Sequence, residues 1–173
     1  ITDNWTQKAN FGGGPRAGAT GFSIGSYGYI GTGTDLAGNY YNDLWKYDVT
    51  TNEWTWVHGG SSNGQAAVWG KKGTPDPANT PGARWAYTKW KDKNGNFWLF
   101  GGQHFVNNAG YYNDMWKYST ATNEWTWMHG NNYGYPLPKH KGHCVPDTGN
   151  VPGGRMEARA CWTDYHGNFW LYS

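Results

Sequence analysis

Hydrophobic and polar positions alternate along this chain in short runs, and the runs stop at glycine or asparagine. Asn96-Phe-Trp-Leu-Phe100 ends at Gly101-Gly102, Asp114-Met-Trp-Lys-Tyr118 leads into Thr120-Ala-Thr-Asn123, and Glu124-Trp-Thr-Trp-Met128 stops before Gly130. Side chains alternate across a strand, so Trp116 and Tyr118 share one face and Met115 and Lys117 the other. Trp125 and Trp127 likewise oppose Thr126 and Met128, and Phe97 and Leu99 oppose Trp98 and Phe100. Both faces carry bulk, as sheets packed on each side require; a sheet wetted on one face would carry more charge there. No stretch of ten or more residues places apolar side chains at helical spacing. The pattern predicts an all-β chain of antiparallel strands, here over 84–91, 96–100, 114–118 and 124–128, with Asn94-Gly95 as a two-residue hairpin.

The pattern also repeats. Asn42-Asp-Leu-Trp-Lys-Tyr-Asp48 returns as Asn113-Asp-Met-Trp-Lys-Tyr-Ser119, and Asn52-Glu-Trp-Thr-Trp56 returns as Asn123-Glu-Trp-Thr-Trp127, with the same displacement along the chain. A fixed offset over separate blocks marks a tandem structural unit. Residues that return in every copy build the unit rather than perform one reaction at one place. In the first unit Arg16 opens the first strand, followed by strands over 29–33, 43–48 and 53–57. A third unit starts at Pro152-Gly-Gly-Arg155 and runs through Trp162 to Tyr172, and Trp5-Thr-Gln-Lys8 reads as a lone fourth strand. The expected division is 1–10 as the last strand of a preceding unit, 11–60 as one unit, 81–130 as a second with a long preceding loop, and 152–173 as half of a third. From the second unit to the third, Trp90 to Trp162 and Trp98 to Trp170 each span one position more than Pro81 to Pro152. The extra residue falls between Arg155 and Trp162, where a bulge would preserve the facing of later side chains.

Composition changes the picture in three ways. With 13 Trp, 13 Tyr and 27 Gly among 173 residues, and only 15% charged, flat rings must fill the space that Leu and Ile fill elsewhere. The net charge of +2 comes with no basic run, which leaves nucleic-acid binding without an electrostatic footprint. No apolar stretch approaches bilayer length, so no membrane span is expected. The opening Ile1-Thr-Asp-Asn, without Met or a signal-peptide pattern, reads as a mature segment or an excised fragment. Cys144 and Cys161 would close a short loop as a disulfide worth roughly 3 kcal/mol, or else are two thiols. Asn4-Trp5-Thr6 is a glycosylation sequon.

Arg84, Gly101-Gly102, Tyr118 and Trp125 together resemble the kelch motif. Arg16, Tyr47 and Trp54 carry it in the first unit, where Gly31-Thr-Gly33 departs from the double glycine. The wording of "NDLWKYD", "NEWTW", "PGAR" and "GNFWLFGG" is similar to secreted bacterial kelch proteins of the galactose-oxidase-like propeller group. The resemblance implies a kelch-type β-propeller with four-stranded antiparallel blades around a channel. Here it would be a partial propeller: two full blades plus parts of two others. It implies that the repeated Trp and Tyr fill the space between blades, and that each Arg bonds carbonyls or a neighbouring blade's acid. Other blades or chains would complete the ring, for instance two copies closing six blades head to tail. It also implies an extracellular or cell-surface location.

Function is expected in the loops. The connections 58–80 and 129–151 are long and of equal length, and 103–112 adds a shorter loop. In such a blade they emerge on one face, the usual place for binding on a rigid scaffold. Their Trp69, His104, Phe105, Asn107, Tyr111, Tyr112, Tyr133 and Tyr135 suit sugar stacking or protein contact, or else pin the loops down. His140-Lys-Gly-His143-Cys144 has no second cluster to complete a metal site, and Asp35, Asp43, Asp76, Asp114 and Asp147 are too scattered for a calcium loop. The two Tyr and two His that hold copper in galactose oxidase do not map onto matching motifs here, and fold alone conveys no activity. No cofactor, metal or catalytic constellation is expected. The leading expectation is a non-catalytic binding module for a protein or glycan. The alternatives are an architectural segment of an extracellular assembly, or a scaffold fragment of a copper radical oxidase-like or other propeller enzyme.

Overall fold

In the computed structural model, which describes residues 4–104, 110–156 and 160–172, the two Trp-Lys-Tyr segments are third strands of two sheets built alike. The first sheet takes β1 (Thr20–Ile24), β2 (Tyr27–Gly31), β3 (Leu44–Asp48) and β4 (Glu53–His58) in that order, every neighbour antiparallel. The second takes β5 (Thr88–Lys91), β6 (Phe97–Phe100), β9 (Met115–Ser119) and β10 (Glu124–His129) in the same order. Between β6 and β9 lies a small ribbon, β7 (Gln103–His104) with β8 (Gly110–Tyr111). β11 (Ala160–Thr163) and β12 (Phe169–Tyr172) form a separate antiparallel pair. The described residues are thus all-β, with four-stranded antiparallel sheets, and none of these sheets closes on itself.

The register matches across the copies: Tyr47 lies opposite Trp54 and Trp45 opposite Trp56, as Tyr118 lies opposite Trp125 and Trp116 opposite Trp127. The expected facing of β9 is seen, with Trp116 and Tyr118 fully buried. The turn after each third strand is fixed by its asparagine. Asn52 and Asn123 take left-handed φ of 60° and 57°, a conformation asparagine tolerates. Each side-chain oxygen accepts the hydroxyl of the motif tyrosine, at 2.7 Å from Tyr47 and 3.1 Å from Tyr118.

Several boundaries differ from the sequence reading for local reasons. The expected strand over 84–91 begins only at Thr88, because Ala86 adopts a φ of 55° and turns the chain. The hairpin at Asn94-Gly95 is a three-residue loop, with Asp92 N–H bonded to the Asn96 carbonyl at 3.0 Å. The Asp92 carboxylate selects it by accepting Asn94 N, Asn96 N, Asn96 Nδ2 and the Trp98 indole N–H. Asp164, Asn168 and Trp170 repeat this clasp. β2 starts two residues early, since Gly25-Ser26 makes a tight turn between paired Ile24 and Tyr27. Residues 4–10, expected as the last strand of a preceding unit, form no strand, and Trp5 is wholly exposed. Ala9 instead bonds the Asn52 side chain and the Trp54 indole, and the Phe11 ring packs on Trp45 and Trp54. Of the segment expected to hold a bulge, residues 157–159 lie outside the described residues.

The core runs across both sheets. Tyr29 and Leu44 of the first join Phe97, Leu99, Trp116, Tyr118 and Trp125 of the second. Phe22 links them, stacked 4.8 Å from Tyr29 and 4.2 Å from Phe97. On the far side, Trp90 of β5 stacks 5.3 Å from Phe169 of β12 and donates its indole N–H to the Trp170 carbonyl.

Candidate functional site

Four residues of the repeated motif turn out to be joinery. Asp114, fully buried, accepts both terminal nitrogens of Arg84 at 2.8 Å and the Trp116 indole N–H at 2.7 Å. Arg84 also donates to the carbonyls of Gly82 and Gly101. Arg16, Asp43 and Trp45 repeat the cluster in the first unit. The arginine was expected to bond carbonyls or to pair with a neighbouring blade's acid. Its acid partner is instead that of its own unit, because Asp114 opens the third strand beside the glycine pair the guanidinium already bonds. It is the Arg84 backbone that reaches the neighbouring unit, donating to Tyr41 O and accepting from Gly33 N in the loop between β2 and β3. Arg155 does the same with Tyr112 O and Gly102 N. Asn42 and Asn113 complete the joint, donating to the carbonyls of Pro81 and Pro152 and accepting Gly60 N and Asn131 N.

The two long connections fold alike although their sequences differ. Val68 bridges Thr80 as Lys139 bridges Val151. Gly64 N–H bonds Tyr40 O at 2.7 Å, and Tyr135 N–H bonds Tyr111 O at 2.8 Å. These last bonds tie each connection to the loop between the second and third strands, so the two kinds of loop gather together.

The candidate residues separate into two groups. Trp69 is a wedge, its ring centroid 6.2 Å from Tyr112, 5.2 Å from Trp116 and 5.0 Å from Trp127. Tyr112 is buried, with the Arg84 guanidinium 5.6 Å from its ring centre. His104 is buried edge-on to Tyr112. Burial, then the Arg84 charge, lowers its pKa to about 4, against weaker opposing effects of the Gln65 backbone and Asp114. These three pin loops to the sheet.

Tyr111, Tyr133 and Tyr135 form the second group, at the surface. Tyr135 is 63% exposed and Tyr133 47%, and Tyr111 meets Tyr135 edge-on at 5.3 Å. The Tyr135 ring lies against Gly110, where a Cβ would come within 2.8 Å of it. Tyr135 holds a left-handed φ of 56°, while the matching position of the first connection is Gly64 with φ 64°. Phe105 and Asn107 lie outside the described residues.

Cys144 and Cys161, a possible disulfide from sequence, are separate thiols. Cys144 sits in an exposed loop with Sγ 3.1 Å from His143 Nδ1, whereas Cys161 lies on β11 with Sγ toward the Lys89 carbonyl. Among the described residues no three His, Cys, Asp or Glu side chains stand together as metal ligands. No helix of the described residues is long and apolar enough to cross a membrane. Sequence reasoning passed over an open cleft of about 890 Å³ on the first sheet, lined by Arg16, Tyr41, Asp43, Trp45 and Trp56. The available signal was the repeat offset, which relates Tyr41, Trp45 and Trp56 to the residues that hold Trp69.

No family model and no curated protein matches the chain. Among solved structures, "Structure of YjhT" is similar, with a TM-score of 0.51 over 76% of this chain at 18% identity. The chain spans 43% of the length of that protein. At this identity the likeness concerns the fold alone: a β-rich architecture compatible with propeller-like stacking of antiparallel sheets.

Proposed function

We infer that the chain is a segment of a kelch-type β-propeller, outside the cell or on its surface, that binds a protein or glycan without catalysis through its exposed loop tyrosines. The propeller part is supported by two sheets of identical strand order, joined by hydrogen bonds that recur from one junction to the next. The fold-level similarity described above supports it as well.

One observation carries the binding part. The backbone at 64 and at 135 makes the same bond in the same left-handed conformation, yet the first copy has glycine and the second tyrosine. A bulky residue there costs on the order of 1–3 kcal/mol. That cost holds a rigid phenol in solvent beside Tyr111 and near Tyr133 in sequence. Tyrosine offers a stacking face and a hydroxyl with little side-chain entropy to lose, which suits a sugar ring or a peptide. The test is a glycan array followed by titration of the best hit, or of a purified protein partner, against wild type and the Tyr133→Ala/Tyr135→Ala variant. The reading requires affinity to fall tenfold or more with an unchanged melting temperature; equal affinity rejects it.

An architectural reading has its own observation. Trp162 and Trp170 stack at 5.8 Å on the last strand pair and are about half exposed, and Tyr172 is 77% exposed. A face of this kind suits burial in an assembly.

A further inference from the structure

We propose that the open cleft on the first sheet is a socket for a tryptophan presented by another polypeptide segment built like residues 58–80. The second sheet supplies the template. There Trp69 lies among Tyr112, Trp116 and Trp127. Their counterparts in the first copy of the repeat, Tyr41, Trp45 and Trp56, line a cleft of about 890 Å³ into which none of the described residues places such a ring. Trp56 is 49% exposed in consequence.

The two cradles agree beneath their rims. Trp45 lies opposite Trp56 as Trp116 lies opposite Trp127. The Trp45 indole N–H bonds Asp43 at 2.8 Å, and the Trp116 indole N–H bonds Asp114 at 2.7 Å. The shape that accepts Trp69 in one sheet is therefore already set in the other. Residues 4–15 bring Phe11 against Trp45 and Trp54 and set Gly12 and Gly13 at the rim, but their one tryptophan, Trp5, stays wholly exposed.

The chemistry of the floor suits a flat aromatic occupant. The Asp43 carboxylate already takes bonds from Trp45 and from both terminal nitrogens of Arg16, and Arg16 also bonds the carbonyls of Gly13 and Thr32. The rings of Trp45 and Trp56 then offer the apolar contact surface, beside the glycines and Ser61 of the rim. In the filled cradle Lys72 adds a cation 4.4 Å from the Trp127 ring centre, so a donor carrying Trp-Gly-Lys-Lys would place a charge over Trp56 as well.

The proposal rests on the propeller reading only in taking the natural donor to be a neighbouring unit. Its test uses a defined probe, a synthetic peptide of residues 61–80, titrated into the isotope-labelled full chain while the indole N–H signals of Trp45 and Trp56 are followed. The expected result is saturable shifts confined to the first sheet. A Trp69→Ala peptide should bind at least tenfold more weakly, and so should the wild-type peptide to a Trp56→Ala chain whose melting curve shows it folded. A Tyr135→Ala chain should bind the peptide normally, which separates this socket from the loop-tyrosine site. No shifts at millimolar peptide, equal binding of the Ala peptide, or shifts only at Trp116 and Trp127 would each overturn the proposal.

Discussion

Arg84 and Asp114 show how much one side chain can be asked to hold. Both are essentially removed from water, and Asp114 anchors an arginine and an indole at once. Removing the charge from one partner strands the other, which typically costs about 3–5 kcal/mol. Asp114→Asn should therefore lower unfolding free energy by about 3–5 kcal/mol in urea titration, whereas the charge-free pair Arg84→Met/Asp114→Leu should recover much of that. The sequence announced these residues as structural by repeating them, and alternation alone set Trp116 and Tyr118 on one face. It did not reveal the pairing, because Arg84 and Asp114 lie on different strands of the chain's reading and Asp92 stands closer to Arg84 along it. The Asp92 clasp was missed too, since the segment was read as a two-residue Asn94-Gly95 hairpin, although its signal, Asp-x-x-Gly-Asn-x-Trp, occurs at both 92–98 and 164–170.

Among the elements, strands followed from side-chain period and turns from asparagine and glycine, but the long connections were opaque. Their shared shape is held by main-chain bonds such as Gly64 N–H to Tyr40 O and Tyr135 N–H to Tyr111 O, which impose no common side chain. Only the left-handed position leaves a trace, and the trace is a conflict, glycine in one copy and tyrosine in the other. Tyr135→Gly should relieve it and raise stability by about 1 kcal/mol or slightly more, read as a higher urea midpoint with unchanged slope. A lower midpoint would mean that packing of the ring on Gly110 and Tyr111 outweighs the backbone strain.

For the whole molecule, the repeat foretold two like sheets and half of another, and the packing of one sheet on the next followed from aromatic bulk on both faces. What covers the outer faces was not legible, since an exposed tryptophan and a buried one look alike in a one-dimensional pattern. Global stability should also answer to pH. His104 is held neutral, with its pKa brought from 6.5 to about 4, and burial lowers that of His58 in the same direction. Between about pH 6.5 and 4 the unfolded chain binds more protons than the folded one, so stability is full above 6.5 and declines as pH falls toward 4. The His104 share is about 3 kcal/mol, and unfolding curves of His104→Phe should show a shallower decline over that window.

Arg84 ties two units together, its main chain bonded to the β2–β3 loop of the one before and its guanidinium to Gly101 and Asp114 of its own. Peeling either sheet away tears open a bond network the other depends on. The two sheets are therefore expected to unfold together rather than one at a time.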